Sequence, residues 1–197
     1  MSGVPFLIIG LGNPGLEYVQ TRHNAGFWFV EQLAGSSRFS LQKKLLSESC
    51  KVNIAGIACV LVKPTTFMNH SGQCVRAWLD WYKLSAEQVS QQMLVVHDEL
   101  DLEPGVVRLK QSGGHGGHNG LRDIERHLGT RNYLRLRLGV GHPGHASRVS
   151  NYLTSGRPSS KEQEAIDVAI FQAQSVISKV VSGELPLAMN QLHTAAN

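Results

Sequence analysis

Cysteine is scarce in this chain, and the little there is carries no pattern. Cys50, Cys59 and Cys74 are its three cysteines, an odd number without a CxxC pair or metal-ligand spacing. That excludes a disulfide framework and a structural zinc site, and makes a reducing cytosol the expected compartment. Charge is also thin, at 17% of residues against 42% hydrophobic, with no long polar or low-complexity tract. Such a composition excludes disorder and describes a globular fold. Long apolar runs are missing too: Phe6-Leu7-Ile8-Ile9 stops at Gly10, too early for a signal h-region or a membrane span, and no basic n-region precedes it. Neither a GxSxG nucleophile elbow nor an HExxH helix occurs, and no internal repeat is visible.

What is present fits one core. A chain of 197 residues is rather short for two domains, so a single domain over 1–197 is expected, with a C-terminal helix and tail from about 159 packed on it. Lys and Arg number 19 against 15 Asp and Glu, a net charge of +4. This suits an anionic partner without requiring one.

Periodicity gives the elements. Phe6 to Ile9 reads as a buried strand entering the glycine turn Gly10-Leu-Gly-Asn-Pro-Gly15. Phe27, Val30 and Ala34 share a helical face stopped by Gly35, which puts His23 and Asn24 at or just before a helix start. Cys50 to Ile54 and Ile57 to Val62 read as a hairpin around Ala55-Gly56, followed by a break at Pro64 and a loop through Met68-Asn69. Val75, Trp78, Leu79 and Tyr82 make 71–82 an amphipathic helix. Met93 to His97 is a buried strand with Asp98 at its end, and Val106 to Lys110 another, running into Gly113-Gly-His-Gly-Gly-His118, with helix from about Asn119. Leu134, Leu136, Leu138 and Val140 alternate with Arg135, Arg137 and Gly139, a strand with both arginines outward. A long helix capped by Ser159 or Ser160 carries an apolar stripe from Ile166 to Val180 and ends near Gly183, before a tail docked by Met189 and Leu192. Strands and helices interleave around one hairpin. The expected fold is therefore α/β, a single-domain three-layer sandwich in which a twisted mixed sheet has helices on both faces. Loops following strands in such a fold gather at one edge, where sites form.

Candidate chemistry concentrates in those loops. Gly10-x-Gly12-x-x-Gly15 formally matches a dinucleotide fingerprint, but Glu31, the acidic residue at the right distance, lies inside a helical pattern and Pro14 turns the chain where the fingerprint's helix should begin. A nucleotide-dependent oxidoreductase is thus rejected. His23 stands in the polar cluster Thr21-Arg22-His23-Asn24, where a neutral imidazole can accept a proton if a carboxylate fixes its other nitrogen. Asp98 is the obvious supplier; the plainer readings are a surface histidine and a turn aspartate. Asn13, Asn69 and Asn119 each follow a strand. Singly each reads as a turn or N-cap residue, and together they suggest amide recognition and an oxyanion donor. His115 and His118 lack partners at metal-ligand spacing, so their glycines suit a mobile loop better than a metal pair. Lys110, Arg135 and Arg137 read equally as phosphate contacts or as a solvated strand face.

Five motifs then fall in one order: Gly10-Leu-Gly-Asn13-Pro-Gly15; Tyr18-x-x-Thr21-Arg22-His23-Asn24-x-Gly26; Lys63-Pro-Thr-Thr-Phe-Met68-Asn69-x-Ser-Gly72; His97-Asp98-Glu99-Leu100-Asp101; and Gly113-Gly-His-Gly-Gly-His118-Asn119-Gly-Leu. Across residues 6–144 the chain resembles the bacterial-type peptidyl-tRNA hydrolases, and the tail Met189-Asn190-x-Leu192-His193 is similar as well. The resemblance implies a monomeric, cytoplasmic hydrolase without metal or cofactor that recycles tRNA in translation by releasing the peptide from dropped peptidyl-tRNA, engaging its acceptor stem and 3' end. It implies His23 as the base, Asp98 as its orienting carboxylate, and Asn13, Met68, Asn69 and Asn119 along the peptide end of the cleft. Tyr18 becomes a neighbour of the base, His118 the channel mouth, and Lys110 and Arg137 contacts to the tRNA 5' phosphate. His70 departs from the pattern, where an apolar residue is expected, and the Gly129-Thr-Arg-Asn132 segment is short. An RNA-binding protein without catalysis is the alternative, since some organellar splicing factors resemble the same family.

Overall fold

The computed structural model describes residues 3–194. In chain order the elements are β1 (Phe6–Gly10), α1 (Ala25–Ala34), β2 (Ser40–Gln42), β3 (Ser47–Ile54), β4 (Ile57–Pro64), α2 (Ser71–Tyr82), α3 (Ala86–Gln92), β5 (Met93–Glu99), β6 (Val107–Gln111), α4 (Asn119–Leu128), β7 (Leu134–Gly139), α5 (Val149–Thr154), α6 (Ser160–Gln174), α7 (Ile177–Val181) and α8 (Leu185–Thr194). The strands form one seven-stranded mixed sheet in the order β2-β3-β4-β1-β5-β7-β6. β4, β1, β5 and β7 run parallel, while β3 and β6 pair antiparallel with β4 and β7.

The period-two alternation of the central strands sends side chains into two separate cores, which makes this a three-layer sandwich. Ile8, Leu61, Leu94, Val96 and Leu136 meet α1, α6, α7 and α8 on one face. Leu7, Ile9, Val60, Val62, Met93 and Val95 meet α2, α3 and α4 on the other. The hairpin turns on Ala55 and Gly56, both at positive φ. Ser159 starts α6 with a reciprocal capping box to Glu162, each half satisfying an amide the helix leaves open.

Three expectations need correction. The long C-terminal helix is broken: α6 ends at Gln174 and α7 begins at Ile177, while the Ser175 amide bonds back to Phe171 and Gln172. The apolar stripe continues across the break because Val176 and Ile177 remain buried, so periodicity alone reads through it. The tail is helical, α8, and docks through Ala188 and Leu192. On β7 only one arginine is half outward. Arg137 pairs with Glu99 at 2.9 Å, but Arg135 is 2% exposed.

Arg135 is buried because the glycine loop runs over it. β6 is antiparallel to β7, and Gln111 lies opposite Leu134, where β7 begins. Residues 112–118 therefore start at the sheet edge opposite the ends of β1, β4 and β5. They reach the other edge only by doubling back along β7. Arg135 donates to the carbonyls of Gly113 and Gly114 on the way. A guanidinium with several fixed donors suits a loop rich in unpaired carbonyls.

Candidate active site

His23 is brought to the sheet by two missing side chains. A Cβ on Gly26 would stand 2.4 Å from both the Leu11 amide nitrogen and the Val96 carbonyl oxygen, and one on Gly10 would stand 2.2 Å from the Gly26 oxygen. The start of α1 thus sits directly on the ends of β1 and β5, an approach open only to glycine. Gly12 serves the Phe27 ring in the same way, so the glycines that imitate a dinucleotide fingerprint are packing glycines. The 3-10 turn Arg22–Asn24 that precedes α1 is buried throughout. Arg22 anchors it to the C-terminal half through Glu162 at 3.0 Å and the Tyr152 ring.

Asp98, next to last in β5, points to the same side as this turn and is 1% exposed. His23 donates from Nδ1 to Asp98 Oδ1 at 2.8 Å, and His118 Nε2 reaches the same oxygen at 3.0 Å. The second contact fixes a tautomer. His118 Nδ1 accepts from the Gly120 amide at 3.1 Å and, more weakly, from the Leu121 amide at 3.4 Å, capping α4. Its proton must therefore be on Nε2, donated to the carboxylate. With Asp98 accepting from both rings, neutral His23 carries its proton on Nδ1 and keeps a lone pair on Nε2.

The electrostatics follow from burial and charge. Burial alone would lower the pKa of His23, but the Asp98 carboxylate and its hydrogen bond outweigh it and leave the pKa above the ordinary 6.5. Burial likewise opposes the Asp98 charge, and the two imidazoles overcome it, holding the carboxyl far below its usual range. His97 is different. Its full burial, with His118 close by, pushes it down to about 3, so it is a neutral ring that donates from Nδ1 to the Asp98 carbonyl at 2.7 Å. The thiols are inert at neutral pH: burial raises Cys59 to about 11 and Cys74 to about 12. A buried, protonated thiol is a poor nucleophile.

The peptide-side residues form a second group joined to the first. Asn13 Oδ1 accepts from the Met68 amide at 2.7 Å, and Asn24 bonds both backbone groups of residue 13. A Cβ on Gly120 would touch Met68 Sδ at 2.6 Å and His118 Cε1 at 3.2 Å, so Met68 and His118 both lie against Gly120 at the start of α4. With Gly120 between His118 and Met68, the contacts close a ring through His23, Asp98, His118, Met68, Asn13 and Asn24. Asn69 and Asn119 are exposed beside it, Asn119 Oδ1 accepting from Arg122. Tyr18 stands edge-on to Phe67 at 6.3 Å. A cleft of about 420 Å³ opens over His23, Asp98, His118 and Asn119, walled by Val149 and Leu153 of α5. Lys110 is exposed on β6, on the same sheet face as Arg137. His70, the departure from the family pattern, lies exposed beside Gln73.

The sequence reading missed two features here. It put His118 at the mouth of a channel, where it also holds Asp98, and it gave Asn24 no task. The spacing His118-x-Gly120 before a helix is a readable capping signal, but nothing local in the sequence says where Asn24 points.

His23, Asp98 and His118 hold ligand-type atoms within 4.8 Å of one another, the arrangement a cation would need, and no other such group occurs among the described residues. The donor set does not fit one. Ligation through His118 Nε2 would move its proton to Nδ1, against two backbone N–H groups.

Fold and site together define an α/β protein with a carboxylate-held imidazole at the carboxyl edge of a mixed sheet. The sequence model of the peptidyl-tRNA hydrolase family matches residues 7–197. Over 189 residues the chain is 51% identical to a peptidyl-tRNA hydrolase of Acinetobacter baumannii, covering 95% of both chains. A Xylella fastidiosa peptidyl-tRNA hydrolase is 50% identical over 190 residues, 95% of this chain and 96% of its own. A crystal structure of the A. baumannii enzyme superposes with a TM-score of 0.89 at 49% identity, covering 98% of this chain and 95% of that one. This chain belongs to the peptidyl-tRNA hydrolase family.

Proposed function

We propose that this protein hydrolyses the ester between peptide and tRNA in peptidyl-tRNA, with His23 activating the attacking water. One observation carries the reading: the 2.8 Å bond from His23 Nδ1 to a buried carboxylate that two imidazoles keep ionised against the cost of burial, in a member of this family. Neutral His23 takes a proton from water on Nε2, and Asp98 stabilises the imidazolium that forms. The ring then returns the proton to the ribose oxygen that leaves. General-base help of this kind is worth about 10² to 10⁴ in rate.

Asn13 is the best-supported donor to the oxyanion. Its Oδ1 faces the Met68 N–H, so its flip is fixed and its NH₂ is left without a protein partner among the described residues. Asn69 and Asn119, exposed in the same region, suit the peptide, with Tyr18 and Met68 beside them. Lys110 and Arg137 suit the tRNA 5' phosphate, Arg137 by exchanging or sharing its Glu99 partner. No helix among the described residues is long and apolar enough to cross a membrane.

The test is release of N-acyl amino acid from N-acyl-aminoacyl-tRNA, with and without EDTA. Release that persists in EDTA is expected. Binding of the tRNA without release would instead make the chain an RNA-binding protein, and release abolished by EDTA would overturn the metal-free step.

A further inference from the structure

Asn24 occupies the N-cap position of α1, yet its side chain makes no capping bond, and the first turn of that helix holds no acidic residue to compensate. An N-cap carboxamide ordinarily stabilises its helix by accepting from an amide the first turn leaves open. Here it is turned away and buried at 2% exposure. Its Oδ1 accepts from the Asn13 amide at 2.8 Å, and its Nδ2 donates to the Asn13 carbonyl at 3.0 Å. The side chain thus pairs with residue 13 as a neighbouring strand would, through one donor and one acceptor. Both partners are backbone groups of fixed polarity, which settles which end of the carboxamide is which. The next link is equally fixed, because Asn13 Oδ1 is held by the Met68 amide at 2.7 Å.

We propose that Asn24 is a positioning residue that acts through Asn13: it fixes the backbone of residue 13 so that the Asn13 NH₂ meets the oxyanion. This rests on the role given to Asn13 above. The adjacent His23 takes its orientation from Asp98, so residues 23 and 24 divide the work, one turning toward the base's carboxylate and the other toward the oxyanion donor. A donor displaced by about 1 Å can lose about 10²-fold in rate, and deleting an oxyanion donor costs about 10² to 10³ in kcat.

The test is a double-mutant cycle with N-acyl-aminoacyl-tRNA, using Asn13→Ala, Asn24→Ala and the pair. Asn24→Ala alone should lower kcat by about tenfold to 10²-fold with KM nearly constant and the pH midpoint unchanged, since the His23 and Asp98 contact is untouched. In the Asn13→Ala background the same change should cost less than about twofold, because residues acting as a unit are not additive. Asn24→Ser, whose short hydroxyl reaches one partner at most, should fall between and carries the cycle if the alanine variant does not fold. Independent, multiplying losses in the two backgrounds, or a shifted pH midpoint, would overturn the proposal while wild-type turnover leaves the hydrolase reading standing. Absence of turnover in the wild type would sink that reading instead.

Discussion

Replacing Asp98 by Asn separates the two effects that set the charge of His23. At 2.8 Å and an effective dielectric constant of about 20, a unit charge pair interacts by about 6 kcal/mol. One pKa unit corresponds to about 1.4 kcal/mol, so losing the charge moves the titration by whole units rather than tenths. The sign is fixed by the causes: burial lowers the pKa of His23, the carboxylate raises it, and the carboxylate prevails. In Asp98→Asn burial acts alone. The base must be neutral to work, so activity is low below its pKa and reaches a plateau above it. For the wild type kcat/KM should be half-maximal above pH 6.5, and for the variant below. On the plateau the variant should still be slower by about 10² to 10⁴, because nothing stabilises the imidazolium and an amide allows the wrong tautomer. The assay is N-acyl-aminoacyl-tRNA hydrolysis from pH 5 to 9, with a thermal melt to establish folding. A folded variant with the wild-type midpoint would refute the reasoning.

Further outcomes follow from the same contacts. His23→Ala should lose about 10² to 10⁴ in turnover while the variant still folds and keeps its tRNA affinity; normal turnover in the folded variant would remove His23 from the reaction. Gly26→Ala should destabilise by about 3 kcal/mol, the upper end of overpacking costs, since its Cβ meets two unyielding backbone atoms at 2.4 Å, whereas Gly35→Ala meets open space and should cost only the strain of its positive φ, about 1 kcal/mol; denaturant titrations that rank them equal would contradict this account of α1. Arg135→Met should leave the Gly113 and Gly114 carbonyls unpaired, at about 1 to 3 kcal/mol each, and speed amide hydrogen exchange across residues 112–118 ahead of the sheet.

Much of the architecture was legible because the sheet is buried on both faces. Unbroken apolar runs such as Phe6 to Ile9 and Met93 to Val96 admit little besides central strands, and the helix at Ser71–Tyr82 has the bounds its stripe predicts. Illegible pieces had weak local signals. Ser40–Gln42 is a three-residue edge strand with exposed side chains, and Ala86–Gln92 is a seven-residue helix with one buried hydrophobic residue. Arg135 misled for a tertiary reason: alternation places it on the face opposite the leucines, but only the return path of the glycine loop decides that this face is covered. The approach of His23 to Asp98 was inferred from residue type and a family resemblance, since no spacing rule connects positions 75 residues apart. The bond of His118 to Asp98 and that of Asn24 to residue 13 went unread because no local signal joins partners 20 and 11 residues apart.

These contacts also decide which part of the site is rigid. The base, its carboxylate and Asn13 are held by α1 seated on β1 and β5, where the backbones at Gly10 and Gly26 meet with no side chain between them and Phe29 and Val30 pack into the core beside them. His118 comes from a loop held to the sheet by Arg135 and to α4 by its own Nδ1. It is nonetheless the member of the ring that a long substrate can displace without unfolding a core element. If the loop swings away, Asp98 loses one of its two imidazole donors, and less of its charge is satisfied by neighbours other than His23. The attraction left for His23 is then stronger, which favours imidazolium. A loop held open, for instance by His118→Ala, should therefore shift the pH midpoint of turnover upward, opposite in direction to Asp98→Asn. A midpoint that stays put or falls in that variant would show that His118 does not share the carboxylate with the base.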